Sequence, residues 1–281
     1  MKLSSNSLYI VSTPIGNLDD ITLRAIEVLK KSDIILCEDT RHSLNLMNHL
    51  KISKKLISYH RFNEKKKLGN IIQQINNGKI LSIISDAGTP LLSDPGRLLV
   101  NECIKKNISI IPIPGVSSII TAISVSGFSD QFLFYGFLPK TENELDKVLS
   151  KLSNQKFSIV FFIPSIKSKF YFNKFRKYFI DRKILIGKEM TKLHESFFRT
   201  EIKELQNLKN QLKGELTVVI SESLKQKNTF NKEKIINNAK KYLKKYSLKD
   251  TVDLIIKTEN LTKNKKEIYK LCLKIKDEKN I

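Results

Sequence analysis

Tryptophan is absent from this chain of 281 residues, and cysteine, methionine and histidine are scarce, at three, three and four. The cysteines, Cys37, Cys103 and Cys272, are far apart and odd in number, which excludes a disulfide framework and points to a reducing compartment. His42, His49, His60 and His194 are scattered, and Cys and His never stand at metal-ligand spacing, so no metal is expected. No GxGxxG follows the first strand pattern, no GxxxxGK-S/T loop occurs, and no GxSxG elbow marks a serine nucleophile. Met1 to Ser7 is too polar and too short for a signal peptide. The one long uncharged stretch, Ile108 to Ser129, contains Pro112, Pro114, Gly115 and many serines, which argue against a continuous spanning helix. A cytoplasmic protein with no membrane partner is expected.

Negative charge is the scarcer sign. Asp and Glu number 28 against 50 Lys and Arg, giving a formal charge of +22 and a pI near 9.8. Such a field favours nucleic acid or another polyanion, because phosphate binding releases counterions. Only seven of the cations are arginine: Arg24, Arg41, Arg61, Arg97, Arg176, Arg182 and Arg199. Lys, Ile and Asn are abundant along the whole chain, so part of the charge reads equally as compositional drift. The arginines carry more information, since guanidinium recognises phosphate and carboxylate in ways ammonium does not.

What is present is an alternation of strand and helix patterns, with polar clusters at the strand ends. Strands are expected at Leu8 to Val11, Asp33 to Cys37, Leu56 to Tyr59, Ile80 to Ile84 and Ser109 to Pro112. A helix to Lys30 with Asp19 and Asp20 at its cap, and helices from Glu64 to Asn77 and Arg97 to Lys106, intervene. That order predicts an α/β fold with a parallel sheet covered on both faces. Its strand ends near residues 14, 38, 60 and 86 share one edge, so their loops would converge on one cleft. The richest loop is Ser85-Asp86-Ala87-Gly88-Thr89-Pro90, continued to Gly96. Alone it reads equally as an ordinary strand-to-helix connection. Pro112 to Ser118 is the expected hinge, dividing an N-terminal α/β domain (1–116) from a second, smaller α/β domain (117–225). Beyond it, residues 226–281 carry only helical patterns, 235–246, 248–256 and 262–275, with a turn around Glu259-Asn260. They read as a helix-turn-helix-like pair or, equally, as a packing or dimerisation module.

Seven motifs occur together and in order: Ser12-Thr-Pro-Ile-Gly-Asn17, Cys37-Glu-Asp-Thr-Arg-His-Ser43, Tyr59-His60 with Asn63-Glu64, Ser85-Asp-Ala-Gly-Thr-Pro90, Ser93-Asp-Pro-Gly96, Pro114-Gly115 and Glu189-Met-Thr-Lys-Leu-His-Glu195. With these the chain resembles the ribosomal RNA small subunit methyltransferase I family, a branch of the tetrapyrrole-methylase-like superfamily, strongly over Leu8 to Ile220. The resemblance implies two α/β domains with S-adenosylmethionine between them, usually in a homodimer. It also implies methyl transfer to the ribose 2′-hydroxyl of a cytidine in the decoding region of 16S rRNA, within the small ribosomal subunit. By motif position, Pro14, Ile15 and Gly16 would border the cofactor. Ser85, Asp86, Gly88 and Thr89 would hold it, with Ser117 and Ser118 after the hinge and Ile163 and Met190 closing from the second domain. Arg41, His42, His60 and Arg61 are assigned toward the RNA. For Arg41 and His42 the alternatives are helix capping and a satisfied buried histidine.

A ribose hydroxyl is a poor nucleophile, so a base beside it would help, although alignment of donor and acceptor alone is a possible mechanism. Glu38, Asp39, Asp86, Glu189 and His194 are the candidates, and the sequence does not choose among them. Relatives usually carry Tyr-Glu-Ser-Pro-His-Arg where this chain has Phe162-Ile163-Pro164-Ser165-Ile166-Lys167. They usually carry Gly at Thr200 and Arg at Lys188. Two other readings stand beside the main one: a tetrapyrrole methyltransferase of the same fold, against which the charge argues, and a non-catalytic ribosome-assembly protein.

Overall fold

The computed structural model describes residues 2–207, 212–223, 232–259 and 265–277. They fall into two units, Met1–Ser223 and Leu224–Ile281. In the first unit, strands β1 (Ser7–Val11), β2 (Ile34–Cys37), β3 (Lys55–Ser58), β4 (Ile80–Ile83) and β5 (Ser109–Ile113) form a sheet in the order β3-β2-β4-β1-β5. Every pairing in it is parallel. Helices α1 (Leu23–Lys31), α2 (Thr40–His49), α3 (Glu64–Asn76) and α4 (Arg97–Lys105) make the crossovers. Leu8, Leu36 and Leu81 pack with Ile75 and Leu99 on one face, and Tyr9, Val11 and Ile35 with Val28 and Met47 on the other. Burial on both faces explains why the central strands β1, β2 and β4 read as predominantly apolar runs.

Two local expectations are corrected. Asp19 and Asp20 do not cap α1. Asn17 accepts from the Asp19 amide and turns the chain through one 3-10 turn, Leu18–Asp20. Thr22 then starts the helix, its hydroxyl oxygen accepting from the Ala25 amide at 3.1 Å. Pro112, expected to end the strand and begin the hinge, lies inside β5, which runs one residue further, to Ile113, and places it opposite Ile10. β5 is an edge strand, where a residue without an amide hydrogen is tolerated on the open side.

The second sheet has the order β6-β7-β10-β8-β9, from β6 (Phe132–Phe137), β7 (Ser158–Pro164), β8 (Lys183–Lys188), β9 (Ser196–Glu201) and β10 (Glu215–Ile220). Only β6 and β7 run parallel. With five strands it matches the first sheet in strand number, so it is not the smaller sheet expected. α6 (Glu142–Leu152) and α7 (Ser168–Tyr178) cover one face through Leu145, Leu149, Tyr171 and Phe175. On the other face, α5 (Ser118–Ser124) sets Ile119 and Ala122 against Val160, Leu185 and Val219, with Ile15 and Met190 in the same cluster. The division expected at 116/117 falls between β5 and α5. Buried Arg182 ties this half together, its guanidinium donating to the carbonyls of Ser153, Gln155, Phe157 and Ser221.

The second unit contains α8 (Lys232–Tyr242), α9 (Leu248–Glu259) and α10 (Lys265–Asp277). Ile235, Ala239, Val252, Ile255, Ile268 and Cys272 form its core. The expected helical pair is therefore a three-helix cluster, because α10 supplies Ile268, Cys272 and Ile275 to the same core. Lys234 pairs with Glu259 at 2.7 Å and Lys265 with Asp253 at 2.8 Å. Most of the turn expected around Glu259-Asn260, and the chain after Asp277, lie outside the described residues. Among the described residues no helix is long and apolar enough to cross a membrane.

Candidate active site

The loops at the carboxyl ends of the parallel strands are bonded to one another. Thr13, after β1, and Gly88, after β4, exchange both backbone hydrogen bonds, at 2.9 and 3.0 Å. The Thr13 hydroxyl donates to the Ser85 carbonyl, and the Ser85 hydroxyl donates to the Gly88 carbonyl, each at 3.1 Å. The Thr89 hydroxyl donates to the carbonyl of Val116 after β5 at 3.1 Å. Asp86 accepts from the Asp39 amide after β2 at 3.3 Å. Gly88 sits at φ +77, and a Cβ there would meet the Ile15 side chain at 3.2 Å. A glycine is what allows the two loops to approach this closely.

These loops form one wall of a cavity of about 490 Å³ between the two sheets. Ile15, Asp86, Gly88, Thr89, Ser117 and Ser118 line it from the first-sheet side. Phe162 to Ile166, Met190 and Gly214 to Thr217 line it from the second. The segment that departs from the family pattern, 162–167, thus contributes directly to the wall. Pro14, Gly16 and Ser85 line an adjoining cavity of about 480 Å³, together with His42 and Lys192. Ile15, Asp86 and Glu215 border both. The eleven residues expected around a cofactor are all at these two cavities, eight at the first and three at the second only.

The candidate bases are placed very differently from one another. Asp39 accepts from the Arg41 amide as the cap of α2 and is gripped by the Arg41 guanidinium at 2.7 and 3.1 Å. Those bonds hold its carboxyl down at about 2. Glu189 accepts from the Glu215 amide at 2.8 Å and pairs with Lys192 at 3.3 Å. The amide bond first, with the lysine, keeps it below the usual glutamate value. His194 is exposed and lines neither cavity. Glu38 follows β2 and is half-buried, and Asp86 lies between the two cavities.

Of the residues assigned toward RNA, Arg41 has a side chain 90% exposed despite its pairing with Asp39. His42 borders the second cavity. His60 shares a contact with Asn63 at 3.0 Å, and Arg61 donates to the Ser93 carbonyl at 2.9 Å. The arginines were expected to serve phosphate or carboxylate, yet Arg61, Arg182 and Arg199 donate to backbone carbonyls. Sequence reasoning missed Asp94, which lines the first cavity. The available signal was its place in the Ser93-Asp-Pro-Gly96 motif, quoted for the resemblance but given no role. Among the described residues no three His, Cys, Asp or Glu side chains converge to hold a metal ion.

The profile of the Tetrapyrrole (Corrin/Porphyrin) Methylases matches residues 7–206. A ribosomal RNA small subunit methyltransferase I of Rickettsia prowazekii is 41% identical over 275 residues, 96% of this chain and 98% of that one. The chain belongs to this family. The Mesomycoplasma conjunctivae member is also 41% identical, over 82% of this chain and 96% of its own length. Among solved structures, a cobalt precorrin-4 methyltransferase aligns with TM-score 0.57 and 18% identity, covering 77% of this chain and 95% of that one. A uroporphyrin-III C-methyltransferase of Thermus thermophilus complexed with S-adenyl homocysteine aligns at TM-score 0.56 and 14% identity, covering 77% and 97%. At that identity the likeness is one of fold, and it agrees with the two-sheet architecture described above.

Proposed function

We propose that the chain transfers a methyl group from S-adenosylmethionine to the ribose 2′-hydroxyl of a cytidine in the decoding region of 16S rRNA. The observation that carries this reading is the convergence of eight expected cofactor residues on one cavity between the sheets, in a chain whose relatives are named for small-subunit rRNA methylation. The residues present fit the cofactor. A volume of about 490 Å³ is in the range of small-molecule sites. Ile15, Phe162, Ile163 and Met190 offer apolar walls, Asp86 a carboxylate for a hydroxyl or ammonium group, and Gly88 an open backbone.

When bound, S-adenosylmethionine supplies a methyl carbon on a sulfonium, already activated for attack by oxygen. The protein's share is then alignment, exclusion of water and removal of one proton. Arg41, with its exposed guanidinium, and His42, beside the second cavity, are proposed to meet the RNA. Asp86, between the two cavities, would orient donor and acceptor relative to each other. The formal charge of +22 favours a polyanionic substrate over a porphyrinoid, whose few carboxylates need only a local basic patch. The reading includes a homodimer working in the cytoplasm, where ribosomal subunits are assembled; the family resemblance supports both. Purified small subunits lacking the modification, incubated with methyl-labelled S-adenosylmethionine, are expected to acquire label in the RNA. Label in protein, or none, would count against the reading.

A further inference from the structure

We infer that Asp94 is the group that takes the proton from the attacking hydroxyl, an assignment that rests on the methyl-transfer reading above. Asp94 is half-buried in the wall of the cavity between the sheets. Among the described residues its carboxylate accepts no hydrogen bond and forms no direct ion pair, and the residue lines the cavity. Three of the other candidate acids are differently occupied, while Glu38 follows β2 and is not among the residues that line either cavity. Asp39 is held by Arg41, Glu189 by the Glu215 amide and Lys192, and Asp86 accepts from the Asp39 amide.

The loop carrying Asp94 is shaped to present it. Leu91 and Ser93 adopt positive φ of 71° and 74°, and Gly96 one of 121°. Left-handed conformations in non-glycine residues persist only where the surroundings enforce them, and they concentrate at functional sites. Here the enforcement is visible. Arg61, from the loop after β3, donates to the Ser93 carbonyl at 2.9 Å. Pro95 restricts the Asp94 backbone from the other side. A Cβ on Gly96 would come within 2.9 Å of the Ile83 side chain, so the loop lies tightly on the end of β4.

The charged groups that act on Asp94 are Glu38, after β2, Asp86, after β4, and Arg61, after β3. Burial first, then the two carboxylates, push the Asp94 carboxyl up to about 6, with the Arg61 guanidinium opposing. A carboxylate of that basicity is ionised at neutral pH and is a better proton acceptor than an ordinary aspartate. In the step proposed, the ribose O–H bond breaks and its proton passes to an Asp94 carboxylate oxygen. The ribose oxygen forms the new C–O bond as the sulfonium C–S bond breaks, with that electron pair staying on sulfur. Asp94 then releases the proton to water.

The test compares wild type with Asp94→Asn and Asp94→Glu. At pH 7, Asp94→Asn is expected to lower methyl transfer to small subunits about 100-fold, within the range of general-base effects, while cofactor affinity by calorimetry changes far less. The acid limb of the wild-type rate profile, centred near pH 6, should vanish in Asp94→Asn, and Asp94→Glu should restore part of the rate. A readout independent of turnover uses the protein alone. A carbon-13 carboxyl resonance should titrate near pH 6 and be missing in Asp94→Asn. Because the folded carboxyl titrates above its unfolded value, its contribution to stability is present below about 4 and lost as pH rises through about 6. The melting temperature of Asp94→Asn should therefore gain on wild type across that interval. A wild type that transfers no methyl would overturn the function reading. Normal transfer by Asp94→Asn, or a carboxyl titrating near 4, would overturn the assignment of Asp94.

Discussion

Gly16 and Thr191 lie so close that a Cβ on the glycine would stand 2.8 Å from the threonine hydroxyl oxygen, and it would collide with the Lys192 side chain as well. The neighbouring Asn17 amide donates to that same hydroxyl at 3.0 Å. This contact joins the first-strand loop to the loop after β8, and Ile15 and Met190, which line the cavity, flank it on either side. Gly16→Ala is expected to destabilise the protein by about 1–3 kcal/mol, as overpacking does. It should also weaken S-adenosylmethionine binding. Thermal unfolding and calorimetry check the two effects, and unchanged values in both would mean that the joint yields without cost.

Asp86 stands between the two cavities and bonds the Asp39 amide. Asp86→Ala is expected to lower cofactor affinity, measured by calorimetry on a variant whose fold is intact. Unchanged affinity would remove Asp86 from the cofactor's surroundings and leave it a loop-bracing role.

Arg41 holds the Asp39 carboxyl down at about 2, through its side-chain bonds first. That contribution to stability is present above about 4 and is lost as pH falls through about 2. In Arg41→Ala the Asp39 titration, followed by NMR, should move up toward the ordinary aspartate value. Methyl transfer should fall more than cofactor affinity does. Equal losses in both would count against an RNA-side role for this exposed guanidinium.

Arg182 donates to four carbonyls, those of Ser153, Gln155, Phe157 and Ser221, and is 6% exposed. Arg182→Met would leave those buried acceptors short of donors. By the cost of leaving buried neutral acceptors unsatisfied, about 1–3 kcal/mol of stability should be lost. Chemical denaturation measures it, and a loss under 1 kcal/mol would show that water replaces the guanidinium.

The architecture was legible because parallel strands buried on both faces must be largely apolar, as Ile34 to Cys37 is throughout and Ile80 to Ile83 is apart from Ser82, and their loops must then share an edge. Local chemistry was harder to read. Asn17 and Thr22 outcompete Asp19 and Asp20 for the start of α1, since several short oxygen-bearing side chains are near enough to cap and only the backbone path decides. Pro112 reads both as a strand end and as the start of a hinge, and its edge position becomes visible only once β1 is known to be its sole neighbour in the sheet. The residues expected around a cofactor, which line the two cavities, were picked out through motifs in register. Asp94 was not, because its environment is made by Glu38, Asp86 and Arg61, which come from three other strand ends. Glu189 is likewise occupied from a distance, by the Glu215 amide, whereas Asp39 is held locally by Arg41 two residues on.

The chemical position of the transferred methyl discriminates ribose methylation from every other outcome. Small subunits lacking the modification are methylated with labelled S-adenosylmethionine, and their RNA is digested and mapped by mass spectrometry. One modified cytidine in the decoding region is expected, with the added mass on the ribose and the adjoining phosphodiester resistant to alkali. A methyl on the base, on another nucleotide or on ribosomal protein would contradict it.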